Sequence, residues 1–383
     1  MATIINNNDP APLYEQVERD IMRQIKEKSL KPGDFVGTHA ELSKKYSVSI
    51  ITIKKALLNL INSGYLYSRT GKGTFVAEMN EKKINFNSHK TIGLVLRDLK
   101  HPYFSLIVHG IEERAYELGY NLLITSSSNS LEKEENQINH FLNLGVDGLI
   151  IASLSLQYRA TDYLQKLHTN NFPYVMVSYI HDPEYWYVGS NHELGGFLAT
   201  DHLIRAGYKK IGYVHVGKGN LLSDVRKNGY MQALVEHDIP FDSKLVYFLD
   251  KEMFDSGVDR FKLGEDFGNS FIDITDKPDA IYFYNDAVAL GFEKAVMEKG
   301  IRVPDDVAIV GNDDIFNSNY ASVPLTTIHQ PADLIGKKAV DVIKRRIDGI
   351  DVENRIVLKP SLIVRDSCGS KKRWASKSNV AEL

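Results

Sequence analysis

Apolar residues recur at helical spacing through the first sixty positions, and the rhythm then changes. Leu13, Val17, Ile21 and Ile25 fall four apart, which predicts an amphipathic helix over 12–28. Lys31-Pro32-Gly33-Asp34 interrupts it with turn chemistry. A short helix is predicted over 40–46, with Leu42 inward and Lys44 and Lys45 outward. Ser49 is placed to cap a third helix reaching Asn62, in which Ile53, Ala56, Leu57 and Leu60 form the buried stripe. Two strand-like runs, Leu66-Tyr67-Ser68 and Thr74-Phe75-Val76, flank Arg69-Thr70-Gly71-Lys72-Gly73, whose glycines permit a tight tip.

Residues 81–89 are polar and aperiodic, as a connector is, and from Thr91 short apolar runs alternate with helical segments. Strands are predicted at Ile92–Leu96, Asn121–Thr125 and Gly148–Ile151, with helices over 103–119 and 131–144 between them. A second series places strands at Lys210–Val216, Ala280–Tyr284 and Val307–Val310, with helices over 222–237 and 287–300. Continuous apolar strands separated by helices argue for parallel sheets covered on both faces. The fold expected is α/β: an N-terminal winged helix-turn-helix over 10–78, a linker over 79–90, and a two-lobed, doubly wound parallel-sheet domain over 91–368. Lobe 1 is expected to hold 91–190 and 331–356, lobe 2 to hold 191–329 and 357–368, and 369–383 is read as a flexible tail. In a winged helix-turn-helix the third helix enters the major groove and the hairpin lies on its flank. In doubly wound sheets ligands bind beyond the carboxyl ends of the strands, so the cleft between two lobes is the expected site.

Composition narrows this further. Residues 1–78 hold 11 Lys/Arg and 8 Asp/Glu, a balance of +3, so the remainder carries −6 of the net −3. A basic head on an acidic body fits a polyanion-binding module. Cys368 is the single cysteine, which excludes an intramolecular disulfide and fits a reducing cytoplasm. No run approaches the about 20 apolar residues of a membrane helix, and the N-terminus lacks a basic start followed by an apolar block, so neither membrane insertion nor secretion is expected.

The residues Pro12-Leu13-Tyr14, Leu30-Lys31-Pro32-Gly33-Asp34, Glu41-Leu42, Val48-Ser49, Thr52-Ile53-Lys54-Lys55-Ala56-Leu57, Gly64-Tyr65-Leu66 and Gly71-Lys72-Gly73-Thr74-Phe75-Val76 resemble the GntR family of bacterial repressors across the whole head. That resemblance implies double-stranded operator DNA as partner, with Ser49, Thr52 and Lys54 reading bases. Lys45, Lys55 and Lys72 would lie on phosphates, and Thr38, Arg69, Gly71, Gly73 and Thr74 near the duplex. Two positions depart from the family, which commonly carries arginine where Ala40 and Ile50 stand here. Gly71-Lys72-Gly73-Thr74 is not a phosphate loop, because strands and not a strand and a helix flank it.

The larger segment is similar to the LacI/GalR effector domain through Ile92-Gly93-Leu94-Val95, Gly119-Tyr120-Asn121, Val146-Asp147-Gly148-Leu149-Ile150, Gly207-Tyr208-Lys209-Lys210-Ile211, Asn285-Asp286, Val303-Pro304-Asp305-Asp306-Val307, Gly311-Asn312-Asp313-Asp314 and Pro324-Leu325-Thr326-Thr327-Ile328. The resemblance implies a homodimer that binds a small effector, a monosaccharide. Tyr103 and Phe104 would stack on it, and Arg226, Asn285, Asp313 and Gln330 would hold its hydroxyls. Arg97, Ser126, Ser153, Ser178, Ser190 and Asn191 are further candidates. A neutral sugar offers hydroxyls and one apolar ring face, which suits planar polar side chains beside an aromatic. Asp286 is expected to cap the helix that begins there, leaving Asn285 to the cleft.

Other classes fit less well. No Gly-x-Ser-x-Gly elbow, HExxH pattern or Cys/His cluster is present, so no catalytic residue, metal ligand or cofactor is assigned. Adjacent residues such as Asp305-Asp306 and Asp313-Asp314 point apart and rarely share one substrate. A secreted solute-binding protein would have no use for a winged head. The expected function is a cytoplasmic, sugar-responsive transcription regulator, with repression favoured over activation and a non-sugar effector as the alternative.

Overall fold

The computed structural model describes residues 11–371 except 28, 63–64, 70–72, 78–89, 129, 153–160, 178, 218–219 and 250–258. The chain divides into two compact units, residues 1–88 and 89–383.

In the first unit α1 (Leu13–Lys26) buries Val17, Ile21 and Ile25. After β1 (Phe35–Gly37), α2 (His39–Tyr46) opens on a reciprocal cap: Thr38 Oγ1 accepts the Glu41 N–H, and Glu41 accepts the Thr38 N–H. It closes on Ser47 in the left-handed region (φ 54°), which turns the chain into α3 (Ile50–Asn62). Ser49 Oγ accepts the Thr52 N–H at 3.1 Å, the expected cap of α3. β2 (Leu66–Arg69) and β3 (Gly73–Val76) form the hairpin. β1 was not foreseen. It pairs antiparallel with β3 and completes a sheet ordered β1-β3-β2, with Phe35 packed on Phe75 at 5.4 Å between ring centroids. The three helices and the inner face of the hairpin share one core built on Val17, Ile21, Leu42, Ile53, Leu57, Leu66 and Val76. This is the winged helix-turn-helix order that the periodicity predicted.

In the second unit the elements run β4 (Lys90–Leu96), α4 (Pro102–Glu117), β5 (Tyr120–Ser126), α5 (Leu131–Leu144), β6 (Gly148–Ala152), α6 (Asp162–Thr169), β7 (Tyr174–Met176), β8 (Tyr187–Ser190), α7 (His192–Arg205), β9 (Ile211–Val216), α8 (Leu221–Glu236), β10 (Val246–Leu249), α9 (Arg260–Phe271), β11 (Ala280–Phe283), α10 (Asp286–Glu298), β12 (Ala308–Asp313), β13 (Thr326–His329), α11 (Ala332–Ile347), β14 (Arg355–Leu358) and β15 (Ser361–Ile363). Among the described residues they make two six-stranded sheets. One is ordered β14-β8-β7-β6-β4-β5 and is parallel throughout. The other is ordered β10-β9-β11-β12-β13-β15, with β15 antiparallel to β13.

The chain passes from one lobe to the other between Ser190 and His192, between His329 and Ala332, and between Leu358 and Ser361. The last passage lies at Lys359-Pro360, two residues beyond the boundary expected at 357, because β14 keeps its pairing with β8 as far as Leu358. Lys90 likewise belongs to β4 and not to the connector. The tail begins later than expected: Ser370 is fully buried and its Oγ lies 3.2 Å from Cys368 Sγ.

Within lobe 2, α7 and α8 meet backbone to backbone. A Cβ on Gly229 would stand 1.9 Å from the Glu193 carbonyl oxygen, and one on Gly196 would stand 2.1 Å from that of Arg226. Only glycine permits this approach, and it fixes α8, which carries Arg226, against α7.

Candidate effector cleft and nucleic-acid interface

The head presents a basic surface without acidic interruption on its third helix. α3 contains no Asp or Glu, and Lys54 and Lys55 are exposed on it, as are Lys44 and Lys45 on α2. Lys55 Nζ lies 3.8 Å from the Tyr14 ring centroid, and Lys45 Nζ is 3.5 Å from Gln24 Oε1. Arg69 at the hairpin lies over Tyr67 and Phe75. Gly73 holds φ 96°, and a Cβ there would meet the Phe35 ring at 2.5 Å. Thr74, expected near the duplex, lies on β3. Its side chain is buried, because Thr74 and Val76 share the inward parity of β3. Gly71 and Lys72 lie outside the described residues.

In the second unit Tyr103 and Phe104 leave β4 on the first turn of α4, which begins at Pro102 after the cap His101. Both rings line a cavity between the lobes, with Arg97, His101, Val177 and Tyr179 on one side and His192, Leu222, Arg226, Tyr284, Asn285 and Asp313 on the other. Its free volume is about 40 Å³, room for roughly three waters when one takes about 10–15 Å³. His101 also lines a second, wider space of about 300 Å³ bounded by Asp98, Lys100, Pro102, Arg260 and Phe261.

Asp313 is the hub of the polar network. Its Oδ1 accepts from Gln330 Nε2 at 2.6 Å, Asn312 Nδ2 at 3.0 Å and Arg226 Nη2 at 3.4 Å. Arg226 also donates to the Tyr284 carbonyl and stacks on its ring, with the guanidinium carbon 4.7 Å from the centroid. Burial works against the Arg226 charge, but Asp313 and the neighbouring tyrosines hold its affinity for the proton above the ordinary value. Burial pushes the Asp313 carboxyl up, while Arg226 pulls it back. Asp313 and Asp314 both sit at positive φ, 129° and 56°. Such backbone costs about 1–3 kcal/mol per residue and gathers at binding sites. Here it turns Asp313 into the cleft and sends Asp314 away, to His329 Nδ1 at 2.9 Å and Arg365 Nη2 at 2.7 Å.

Polar contacts join the lobes at the cleft, among them Tyr103 Oη to Gln330 Oε1 at 3.3 Å, Asn285 Nδ2 to His101 Nε2 at 3.5 Å, and Arg260 Nη1 to Asp98 Oδ2 at 3.3 Å. His101 is held neutral, since burial and the charges of Arg260, Arg97 and Arg226 push its pKa well below the usual value. An uncharged imidazole beside planar amides, a guanidinium and two aromatic faces suits hydroxyl recognition.

Asn285 lines the cleft as expected, but the cap of α10 is Asn285 and not Asp286. Its Oδ1 accepts the Val288 N–H at 3.0 Å. Asp286 turns into lobe 2, where it accepts from Ser318 Oγ at 2.7 Å, the Ile315 N–H at 3.0 Å and Thr327 Oγ1. Burial, and after it the Asp313 charge, push Asp286 up to about 7. Because its folded pKa exceeds the unfolded value, the folded state holds this proton more tightly. The contribution to stability is full below about pH 4 and is lost as the pH rises to about 7. Asp286→Asn is expected to remove that part of the slope of melting temperature against pH. A variant with the wild-type slope would contradict this account.

The sequence signature of bacterial regulatory proteins of the gntR family matches residues 13–76, and that of a periplasmic binding protein-like domain matches residues 200–368. An arabinose metabolism transcriptional repressor of Geobacillus stearothermophilus is 31% identical over 363 residues, covering 93% of this chain and 97% of that protein. The chain belongs to this gntR-headed family of bacterial transcription regulators. Transcription regulator CcpA of Lactococcus lactis superposes with a TM-score of 0.65 at 28% identity, over 73% of the regulator and 99% of that chain. A LacI family transcriptional regulator from Enterococcus faecium, solved with bound ribose, shares the fold at 24% identity and a TM-score of 0.63, over 73% and 98% of the two chains. The first of these relatives is described as a transcriptional repressor and the second as a transcription regulator. Among its described residues no helix is long and apolar enough to cross a membrane.

Of the effector residues expected from the sequence, the regulator brings Tyr103, Phe104, Arg97, Arg226, Asn285 and Asp313 to one cavity, with Gln330 bonded to two of them. Three others stand apart from the cavity wall. Asn191 is an exposed cap of α7, its Oδ1 accepting the Leu194 N–H. Ser126 Oγ accepts the Ser128 N–H in its own turn. Ser190 is buried with no partner for its Oγ among the described residues. Ser153 and Ser178 lie outside the described residues. His101, Tyr179, His192 and Tyr284 were missed, although His192 and Tyr284 adjoin the candidates Asn191 and Asn285 in sequence.

Proposed function

We propose that the protein is a homodimeric repressor of carbohydrate-use genes, working in the cytoplasm, whose hold on its operator is relaxed by a neutral monosaccharide bound between the lobes. The observation that carries this reading is the Arg226–Asp313–Gln330 network facing the rings of Tyr103 and Phe104 in one interlobe cavity. Planar polar forks suit vicinal hydroxyls, and the rings suit the apolar face of a sugar. The Geobacillus relative, a repressor of arabinose metabolism, makes a pentose the first candidate.

A sugar entering the cleft takes over donors and acceptors now used between the lobes, and so changes their closure. Two heads on a pseudo-palindromic operator need a spacing of about 34 Å per turn, which makes duplex binding sensitive to that change. The test is a melting-shift screen of neutral and phosphorylated pentoses and hexoses, followed by calorimetry of the hit with and without operator. Coupling of about 5- to 150-fold is expected, equal in both directions. Equal sugar affinity with and without operator would refute it.

Lys54→Ala separates the two functions. It is expected to weaken duplex binding and to lower the salt dependence of binding by about 0.9 in log–log slope per lost phosphate contact. The effector's melting shift should stay unchanged. A variant that loses effector binding as well would show that Lys54 acts through the fold.

A further inference from the structure

α3 exposes large apolar side chains where a solvent-facing helix ordinarily carries polar ones. Ile51 is 80% exposed, Leu58 57% and Ile50 47%. The inward face is Ile53, Ala56, Leu57 and Leu60, all buried. At 3.6 residues per turn Ile51, Lys54, Lys55 and Leu58 therefore share the opposite face. Ile50 and Ile51 take no part in the core of the head, so the fold does not require their aliphatic chains.

Their surroundings are cationic. Lys54 and Lys55 follow on the same face, Lys44 and Lys45 stand exposed on the preceding helix, and no acidic residue lies on α3. Apolar groups inside a basic collar suit a polyanion that itself carries apolar points. The major groove is such a surface, because each thymine displays a 5-methyl group among the hydrogen-bonding edges. The N-terminal turn of a recognition helix is the part that approaches those edges. The hydroxyls of the same turn are already engaged: Ser49 Oγ and Thr52 Oγ1 lie 2.8 Å apart, and Ser49 also caps the Thr52 N–H.

Resting on the reading that this head binds operator DNA, we propose that Ile51, with Ile50 beside it, reads thymine methyl groups, so that each operator half-site is specified by thymine at the base pair facing the first turn of α3. Lys54 then supplies charge, and the hydroxyls of Ser49 and Thr52 mainly fix the start of the helix.

The test uses the full-length protein and duplexes recovered by selection from a randomised pool. The preferred duplex is resynthesised with deoxyuridine replacing thymine one position at a time, which deletes only the methyl group. Loss of about fourfold in affinity per contacted methyl is expected, the worth of burying one such carbon. It should be confined to one or two positions in each half-site. Ile51→Ser alters an exposed side chain and should keep the wild-type melting temperature while binding thymine and uracil duplexes equally. Lys54→Ala should weaken both duplexes and preserve their ratio, and Ile50→Arg should shift the selected half-site toward guanine. Equal binding of thymine and uracil duplexes by the wild type overturns the proposal, as does an Ile51→Ser variant that keeps the thymine preference. Failure to recover any preferred duplex would instead sink the operator-binding reading on which it rests.

Discussion

Arg226→Ala is expected to abolish the effector-dependent rise in melting temperature and to lower the melting temperature of the free protein as well. Arg226 is buried and reaches both the Tyr284 carbonyl and Asp313. Removing one member of a buried pair costs about 3–5 kcal/mol, because the other charge is left without its counterion. The loss here should fall toward the lower end, since Gln330 and Asn312 still donate to Asp313 and its carboxyl can take up a proton. Arg226→Lys should recover part of the stability and little of the effector response: an ammonium is a point charge and cannot span two acceptors as the planar fork does. Thermal melts with and without sugar measure both effects. If Arg226→Ala responds to the effector as the wild type does, the cleft is not the binding site.

Gly229→Ala should be nearly as damaging from a position that touches no ligand. The added methyl would lie 1.9 Å from the Glu193 carbonyl oxygen and 2.6 Å from the Phe197 nitrogen. Both obstacles are backbone and neither can rotate away, so α7 and α8 must separate. Overpacking of a well-filled interior costs about 1–3 kcal/mol and sometimes more. Arg226 lies three residues earlier on the same helix, so the displacement should also weaken effector affinity. Gln232→Ala, on the exposed side of α8, is the control and should change neither property. A Gly229→Ala protein with wild-type melting and affinity would show that the helix pair is less tightly seated than this geometry implies.

The parts of the fold that were legible in the sequence are those in which one residue type repeats at one spacing. α1 and α3 carry large aliphatic residues at helical intervals, β6 and β11 are unbroken apolar runs, and β4 and β9 contain such runs at Ile92–Leu96 and Ile211–Val214. What escaped was short or blurred. β1, β7 and β15 have three residues each, too few for a period to register. α7 hides its inward face because Gly195 and Gly196 stand where a helix usually shows bulk, and its packing is backbone on backbone.

The cleft was partly legible for a related reason. Asn285 and Asp313 follow apolar strands, which marks them as strand-end residues, and Tyr103 and Phe104 open a helix directly after one. His101, His192 and Tyr179 carry no such mark, because what makes them part of the site is who stands across the gap. That Asn285 and not Asp286 caps α10 was beyond reach in the same way. Either side chain can cap a helix, and the choice is made by Ser318 and Thr327, which lie over thirty residues later in the chain.

The triple passage of the chain between the lobes limits how they can respond. One bridging segment would act as a swivel and two as a loose pair of straps. Three short ones, at 190–192, 329–332 and 358–361, leave bending across the gap as the easy deformation and resist twist and slip. An effector can then alter little except the opening angle. A molecule with a single soft mode converts occupancy of its cleft into one mechanical coordinate.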